Sequence, residues 1–411
     1  MLRRFLRYIE RLYGVKEELA SVTDRRQKPQ LPTFRVVAGL FLMACIQAGS
    51  LNGIEQALRN GPARCVWHKW LGGDLPSADR LGEVAAILDV DQLRKVLVRH
   101  YQRRRRKKTL HAPKEKRFIL VLDGHEYGAS YYRCCKNCLN RTVHVQGEER
   151  IQYYHRYVLG YLFRGDGRLY LDMEMQLPGE GEITAARRLI HRALQSYPRA
   201  FQVVVGDALY ADPQLCKELL AAGKHFIAVL KNEARDLVQD FESLRELVPA
   251  ITVRYQKRRC ICRDIEGFTT WPQVGRAVRV VSSEEQQTIR RCRTRELQTT
   301  KSKWMWVTSL DRTQMDTTTL VELGHRRWDI ENYGFNELAT RWHADHIYHH
   351  DINAMMAILL LILLAVNLFH AWQSRNLKPE LRDKFPIRFF ERLLQGDFYH
   401  ELKISTGPDP P

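Results

Sequence analysis

The 411-residue sequence lacks the features of a secreted or membrane-spanning protein. Its first segment, MLRRFLRYIERLYG, interrupts the apolar residues with arginine every few positions, so it has no signal-peptide core. The most apolar run, Ala354–Val366, has 13 residues, fewer than the ~20 that span a bilayer. We therefore expect this run to be a helix buried in a protein core, and we expect no membrane partner.

Motifs of several enzyme classes are also missing. The chain has no Walker loop, no GxGxxG fingerprint, no Ser/His/Asp hydrolase pattern and no internal repeat. Its nine cysteines are too few for a disulfide scaffold in a chain of this length. We expect reduced thiols and a cytoplasmic location.

What the chain has in excess is positive charge, and this charge is unevenly distributed. Lys and Arg number 65 against 47 Asp and Glu, a net charge of +18. Residues 1–117 hold 25 Lys and Arg and 11 Asp and Glu, which leaves only +4 for the remainder. This asymmetry indicates a polyanionic partner, nucleic acid first and an acidic membrane surface second.

Residues 1–112 are predicted to form a basic helical domain that binds DNA. The run Phe34–Ala48 is apolar enough for a core helix, and Ser77 is a plausible N-cap for another. A helix-turn-helix DNA reader and simple helix packing remain equal alternatives. Six consecutive cations follow, and we expect a linker that tracks DNA phosphates rather than a solvated helix end. These cations are Arg103, Arg104, Arg105, Arg106, Lys107 and Lys108.

From residue 113 the pattern changes to short apolar strands alternating with helices, which is typical of an α/β mixed sheet flanked by helices. Four further segments are predicted: a first part of this core (113–235), a β-rich insertion (236–315), a second part of the core with a long helix ending near Trp342 (316–371), and a C-terminal helix and tail (372–411).

Two aspartates share one context, because each follows an apolar strand. They are Asp123 in FILVLDGHE and Asp207 in FQVVVGDALYAD. Ligand sites form at the carboxyl ends of open-sheet strands, and carboxylates gathered there need a cation between them. A third acid, Glu331, lies in the predicted long helix with Arg327 one turn before it. That pair is either part of the same site or only a surface ion pair.

These residues resemble the DDE cut-and-paste transposases of bacterial insertion sequences, which have a ribonuclease-H-like core. The resemblance rests on the two strand-borne aspartates and on the string Arg327, Trp328, Ile330 and Glu331, and it covers roughly residues 115–370. It implies a magnesium- or manganese-dependent enzyme for DNA transposition and recombination. Its partners would be the double-stranded DNA of transposon ends and target, bound by a homodimer at the prokaryotic nucleoid.

The resemblance also implies roles for individual residues. Asp123, Asp207 and Glu331 would be catalytic and would hold two metal ions, with Asp123 bridging both. Arg327 would bind phosphate, and Trp328 would stack on an unpaired base, as Trp304 or Trp306 in the insertion also could. Lys231, at the end of the strand FIAVLK, is a further candidate for a phosphate contact.

The chain departs from the family pattern at two positions. The family has a Tyr three positions before the arginine and a Lys seven after the glutamate, where this chain has Gly324 and Leu338. The missing phosphate contacts would have to come from neighbours such as Arg326, Tyr333 or Arg341. An alternative interpretation is an inactive or repurposed DNA-binding protein with the same fold.

Cysteines and histidines suggest a second metal site, separate from the acidic one. Cys135 and Cys138 form a Cys-x-x-Cys pair, which is half of a zinc site. The Cys260/Cys262 pair or His144 would complete the site. Ordinary free thiols are the alternative. Four further histidines follow the Glu331 helix and are expected to make hydrogen bonds rather than bind metal: His343, His346, His349 and His350.

Overall fold

A ten-stranded mixed sheet forms the centre of the computed structural model, which describes residues 1–60, 64–108, 110, 118–164, 167–231, 235–290 and 295–404. The strands are β1 (Ile119–Ser130), β2 (Leu139–Val145), β3 (Glu148–Arg164), β4 (Gly167–Met175), β5 (Val203–Gly206), β6 (His225–Val229), β7 (Ile251–Tyr255), β8 (Arg258–Phe268), β9 (Val278–Arg290) and β10 (Leu297–Thr308). Their order is β2-β3-β1-β5-β6-β10-β9-β8-β7, and β4 pairs with β3. The predicted fold class is confirmed.

The middle of the sheet is parallel, and its flanks are antiparallel. Strands β1, β5 and β6 run parallel, and their apolar runs are buried between helices. Strand β10 pairs antiparallel with β6, which joins the predicted insertion to the core sheet. The insertion therefore extends the same sheet instead of forming a sheet of its own. Strands β2 and β8 were missed, because their residues are largely polar and exposed on one face.

Fifteen α-helices are described along these residues. They are α1 (Leu2–Tyr13), α2 (Val15–Ala20), α3 (Thr33–Cys45), α4 (Leu51–Glu55), α5 (Arg64–Leu71), α6 (Ala78–Ala85), α7 (Val90–Arg106), α8 (Glu182–Ser196), α9 (Pro213–Ala221), α10 (Asp236–Leu244), α11 (Thr317–His325), α12 (Asn336–Trp342), α13 (Ile352–Asn376), α14 (Pro379–Lys384) and α15 (Ile387–Ile404). The predicted cap at Ser77 is confirmed, since its side chain accepts from the Arg80 amide.

The prediction of one long helix from 316 to 342 is wrong. Helix α11 begins after its cap Asp316, whose side chain accepts from the Thr319 amide, and it ends at His325. A turn follows, then a π-helical segment Ile330–Phe335, and only then α12. Such π-helical segments add a residue to a turn and are frequent at functional sites. Glu331 lies inside this one.

Helix α13 is the core helix expected at 354–366, but it is much longer than the apolar run. It spans 25 residues and is long and apolar enough to cross a membrane, yet 83% of its most apolar window is buried inside the protein. Helices α3, α6 and α7 pack against it. The N-terminal helices therefore share one core with α13, and the predicted boundary at 112/113 lies outside the described residues.

Candidate active site

Strand register brings the two predicted aspartates side by side. Strands β1 and β5 pair in parallel from Ile119 opposite Val203 to Val121 opposite Val205. Asp123 and Asp207 each lie two residues beyond this last pair, and the charge of Asp207 acts on Asp123. Strand β1 continues past Asp123 in its pairing with β3, so this acid lies within a strand and not at its end as predicted. Asp207 accepts from the Leu209 amide at 2.8 Å.

Arg327 links Asp123 to the third acid. Its Nη1 donates to Asp123 Oδ2 at 3.1 Å and to Glu331 Oε1 at 2.9 Å. The Arg327 side chain is only 7% exposed, so this is a mostly buried bridge and not a surface ion pair. One guanidinium thus holds the π-helical segment against strand β1.

Negative charge accumulates around Asp123. Burial, followed by the charges of Asp207, Glu182 and Glu331, raises the pKa of Asp123 to about 7, although Arg327 opposes the shift. A divalent cation would favour the ionised form, and carboxylate oxygens are the ligands that Mg²⁺ and Mn²⁺ prefer. The donor set of this site therefore fits such ions.

Glu182 is a fourth acid that sequence reasoning missed. It is the first residue of α8; Tyr210 donates to its Oε1 at 3.0 Å, and Arg156 Nη1 lies 3.5 Å from its Oε2. A side chain at Gly124, next to Asp123, would collide with its carboxylate. Burial is the largest cause that raises the pKa of Glu182. An acidic first helical residue is common, so no sequence signal set it apart.

The predicted DNA-contacting residues fall into two groups. Trp328 is 40% exposed, with the Arg327 guanidinium 4.5 Å from its ring centre, and Lys231 is exposed two residues beyond the end of β6. Arg341 instead is largely buried, with Nη2 2.8 Å from Glu337 Oε1 and Nε donating to Glu391 Oε1 at 2.9 Å. Its guanidinium ties α12 to α15.

The first four of the six consecutive cations form the last turn of α7, which ends at Arg106, so the prediction of a linker is wrong for these four. Arg104 is 3% exposed and lies inside the protein near Tyr8 and Tyr13. Arg103 Nη2 lies 2.8 Å from Glu18 Oε1. The exposed members of this run are Arg105, Arg106, Lys107 and Lys108.

Packing explains the departure at Gly324. A Cβ atom there would lie 2.5 Å from Nε1 of Trp306, so the buried indole fills the space that a side chain would need. Trp306 is stacked on Trp304 with centroids 6.0 Å apart and is fully buried, which excludes it as a base platform in this conformation. Leu338 is likewise buried in the core.

The Cys-x-x-Cys pair finds partners other than those predicted. Cys135 and Cys138 lie with His155 and His350, and the ligand atoms of all four are within 4.8 Å of one another. Cys260 and Cys262 are buried on β8, and His144 projects from β2 with its side chain 3.8 Å from Glu149. The spacing of Cys135 and Cys138 gave a signal, but the positions of the two histidines gave none.

The central mixed sheet, with acids on neighbouring parallel strands and a third acid on the helical segment packed against them, is a ribonuclease-H-like arrangement. A family model described as a transposase DDE domain matches residues 141–368, more than half of the chain. The chain belongs to this family, and it is a transposase of insertion-sequence type. The matched range contains Asp207 and Glu331, and Asp123 precedes it. No curated protein matches the chain.

Proposed function

We propose that this transposase binds terminal inverted repeats, cleaves phosphodiester bonds of the DNA and transfers the 3′ ends to target DNA. Asp123, Asp207 and Glu331 would hold the two divalent metal ions that this cleavage needs. The observation that supports it most is the Arg327 bridge between Asp123 and Glu331, with Asp207 directly after the end of the neighbouring strand β5. A homodimer on DNA and a cytoplasmic, nucleoid-associated location belong to the same proposal.

The chain's residues have separate tasks in this proposal. Bound Mg²⁺ or Mn²⁺ would activate the attacking water or 3′-hydroxyl and stabilise the leaving oxygen. Asp123 would contact both ions, and Asp207 and Glu331 one each. Arg327 is held by its surroundings with its guanidinium among the carboxylates, where it can donate to a phosphate oxygen. The exposed ring of Trp328 offers a stacking face for an unpaired base.

A basic groove beside Glu331 supports a DNA path. A cavity of about 860 Å³ begins at Asn332 and Tyr333, directly after Glu331. Five arginines line it: the exposed or partly exposed Arg168, Arg382 and Arg388, together with the buried Arg104 and the ion-paired Arg341. Arg375 donates to the carbonyl of Lys108 at 3.5 Å, so the basic end of α7 adjoins this groove. We assign the exposed cations of 105–108 to the DNA backbone, in keeping with end binding by residues 1–112.

Cleavage of the DNA that flanks the coding region tests the proposal. A labelled duplex carrying the terminal repeat is incubated with Mg²⁺ or Mn²⁺ and with the wild type, Asp123→Ala, Asp207→Ala or Glu331→Ala. We expect metal-dependent cleavage by the wild type only, with binding to the duplex retained in each variant. Asp240→Ala, in α10 outside the site, is the matched control and should cleave normally. Cleavage by Glu331→Ala at the wild-type rate would remove that residue from the site.

The alternative of an inactive DNA-binding protein rested on Gly324 and Leu338, the two positions that depart from the family pattern. Both positions are occupied by packing in this fold, Gly324 against Trp306 and Leu338 in the core. No observation on the described residues favours the alternative over the enzyme.

A further inference from the structure

The cluster of Cys135, Cys138, His155 and His350 is assembled from three separate parts of the chain. The two cysteines lie in the turn between β1 and β2, His155 lies on β3 opposite Tyr127 of β1, and His350 precedes α13. Cys138 and His155 are buried, and the other two are partly buried. The close approach of two thiols and two imidazoles from distant segments requires a physical explanation.

Five of the six distances within the cluster match those of a tetrahedron, and the sixth, from Cys135 to His350, is within 4.8 Å. The two Sγ atoms are 3.7 Å apart, and the two Nε2 atoms are 3.2 Å apart. Three sulfur–nitrogen distances are 3.7, 3.3 and 3.4 Å. Zn²⁺ with bonds of ~2.3 Å to sulfur and ~2.05 Å to nitrogen would set its donors about 3.8, 3.3 and 3.6 Å apart, in the same order.

A disulfide or a purely hydrogen-bonded cluster fits this geometry less well. A disulfide requires sulfur atoms about 2.05 Å apart, and these thiols are free. In a hydrogen-bonded cluster, two sulfur and two nitrogen atoms would converge on one point with too few protons to link every neighbouring pair. The Cys135 amide also donates to Cys138 Sγ at 3.2 Å, which holds the two cysteines close together.

We propose that Cys135, Cys138, His155 and His350 bind one Zn²⁺ ion in a closed structural site. Two thiolates and two imidazoles in a tetrahedron select zinc among the common divalent ions. Because the protein supplies all four ligands, no position is left for water or substrate, so the site has a structural role.

The site fastens the segment after the Glu331 helix to the strand that carries Asp123. His350 ends a segment that begins after α12, and the other three ligands lie on or next to β1 and β3. Two further contacts join the same two parts of the chain. A hydrogen bond of 2.8 Å links His125 Nε2 of β1 to Asp345 Oδ1, and the side chain of Ile347 packs on Gly128. Zinc would thus close a loop of almost 200 residues between His155 and His350.

Metal content of the tag-free full-length chain tests the proposal. After growth with zinc and extensive dialysis, mass spectrometry should find about one zinc per chain in the wild type. The double variant Cys135→Ser/Cys138→Ser and the single variant His350→Ala should lose it. Cys134→Ser and His144→Ala, in the same region but outside the cluster, are matched controls and should keep it. Asp207→Ala should also keep it, which separates this site from the acidic one.

A second measurement serves if the ligand variants fail to fold. The wild type is stripped with a chelator, and its thiols are titrated with and without added Zn²⁺. We expect zinc to protect two thiols, and Co²⁺ in its place to give thiolate-to-metal charge-transfer absorption with tetrahedral ligand-field bands. Absence of protection and of these bands would overturn the proposal, as would full zinc content in the double variant.

Discussion

Two candidate metal sites flank strand β1, and they differ in donor atoms and in closure. The acidic site has only oxygen donors, with the Arg327 guanidinium bonded to two of its carboxylates. The Cys/His site has two sulfur and two nitrogen donors, all within 4.8 Å. Four protein ligands would complete a tetrahedral ion at the Cys/His site, whereas three carboxylates would leave ligand positions open for water and substrate at the acidic site. One strand therefore supports a centre suited to reaction and another suited to holding the fold together.

The largest expected effect is the loss of DNA cleavage when a carboxylate of the acidic site is removed, without any effect on the Cys/His site. Asp123→Ala, Asp207→Ala and Glu331→Ala should each lower the rate of terminal-repeat cleavage by a factor of about 10³ or more, because each removes a carboxylate that no neighbour replaces. Zinc content should stay at the wild-type level. Gel-based cleavage rates and metal analysis of the same preparations check both parts.

The second prediction concerns removal of the thiols of the Cys/His site. Cys135→Ser/Cys138→Ser should lower the free energy of unfolding by about 3 kcal/mol or more, because the energy of zinc binding is folding energy. Chemical denaturation of the variant, with Cys134→Ser as the control, measures this difference. Equal stability of the two variants would contradict a structural role for the cluster.

The third prediction concerns the bridge in the acidic site. Arg327→Lys keeps the charge but replaces the rigid planar guanidinium, whose Nη1 donates to both Asp123 and Glu331, with a compact ammonium on a flexible stem, so cleavage should fall about 10- to 100-fold. The neighbouring Arg326, whose Nε lies 3.2 Å from Asp329, offers a comparison through Arg326→Lys, which should change the rate far less. Similar losses in both variants would mean that position 327 has no special role.

The smallest effect is a shift with pH. Because the pKa of Asp123 is raised to about 7, a proton competes with a cation there below that pH, so Mn²⁺ affinity should fall as the pH decreases through 7. Glu182→Gln removes one negative charge that raises this pKa and should move the midpoint to lower pH, by less than about one unit. Calorimetric Mn²⁺ titrations at several pH values check the direction, and a shift to higher pH would contradict it.

Local signals predicted much of the fold. The N-cap predicted at Ser77 is formed, and the apolar run at 354–366 lies in a buried helix as expected. The apolar runs before Asp123 and Asp207 form neighbouring parallel strands. These features depend on neighbours in sequence, which is why a single chain reveals them.

Charge alone did not reveal which cations are accessible. Arg104 and Arg341 look like their exposed neighbours in the sequence, but Arg104 is buried, and Arg341 is 14% exposed and paired with Glu337 and Glu391. Burial depends on which distant elements pack over a helix face. The same holds for Gly324, which is explained only by the position of Trp306, a residue of another element.

By itself, the sequence determined the family and the basic character of the N-terminal helices, and it singled out three candidate acids, because strand and helix signals and charge runs are local. Tertiary structure alone decided that Glu182 joins the acids, that Arg327 bridges two of them, and that His155 and His350 complete the cysteine pair. Each of these depends on contacts between residues far apart in the chain, and no spacing in the sequence encodes a distance across a folded core.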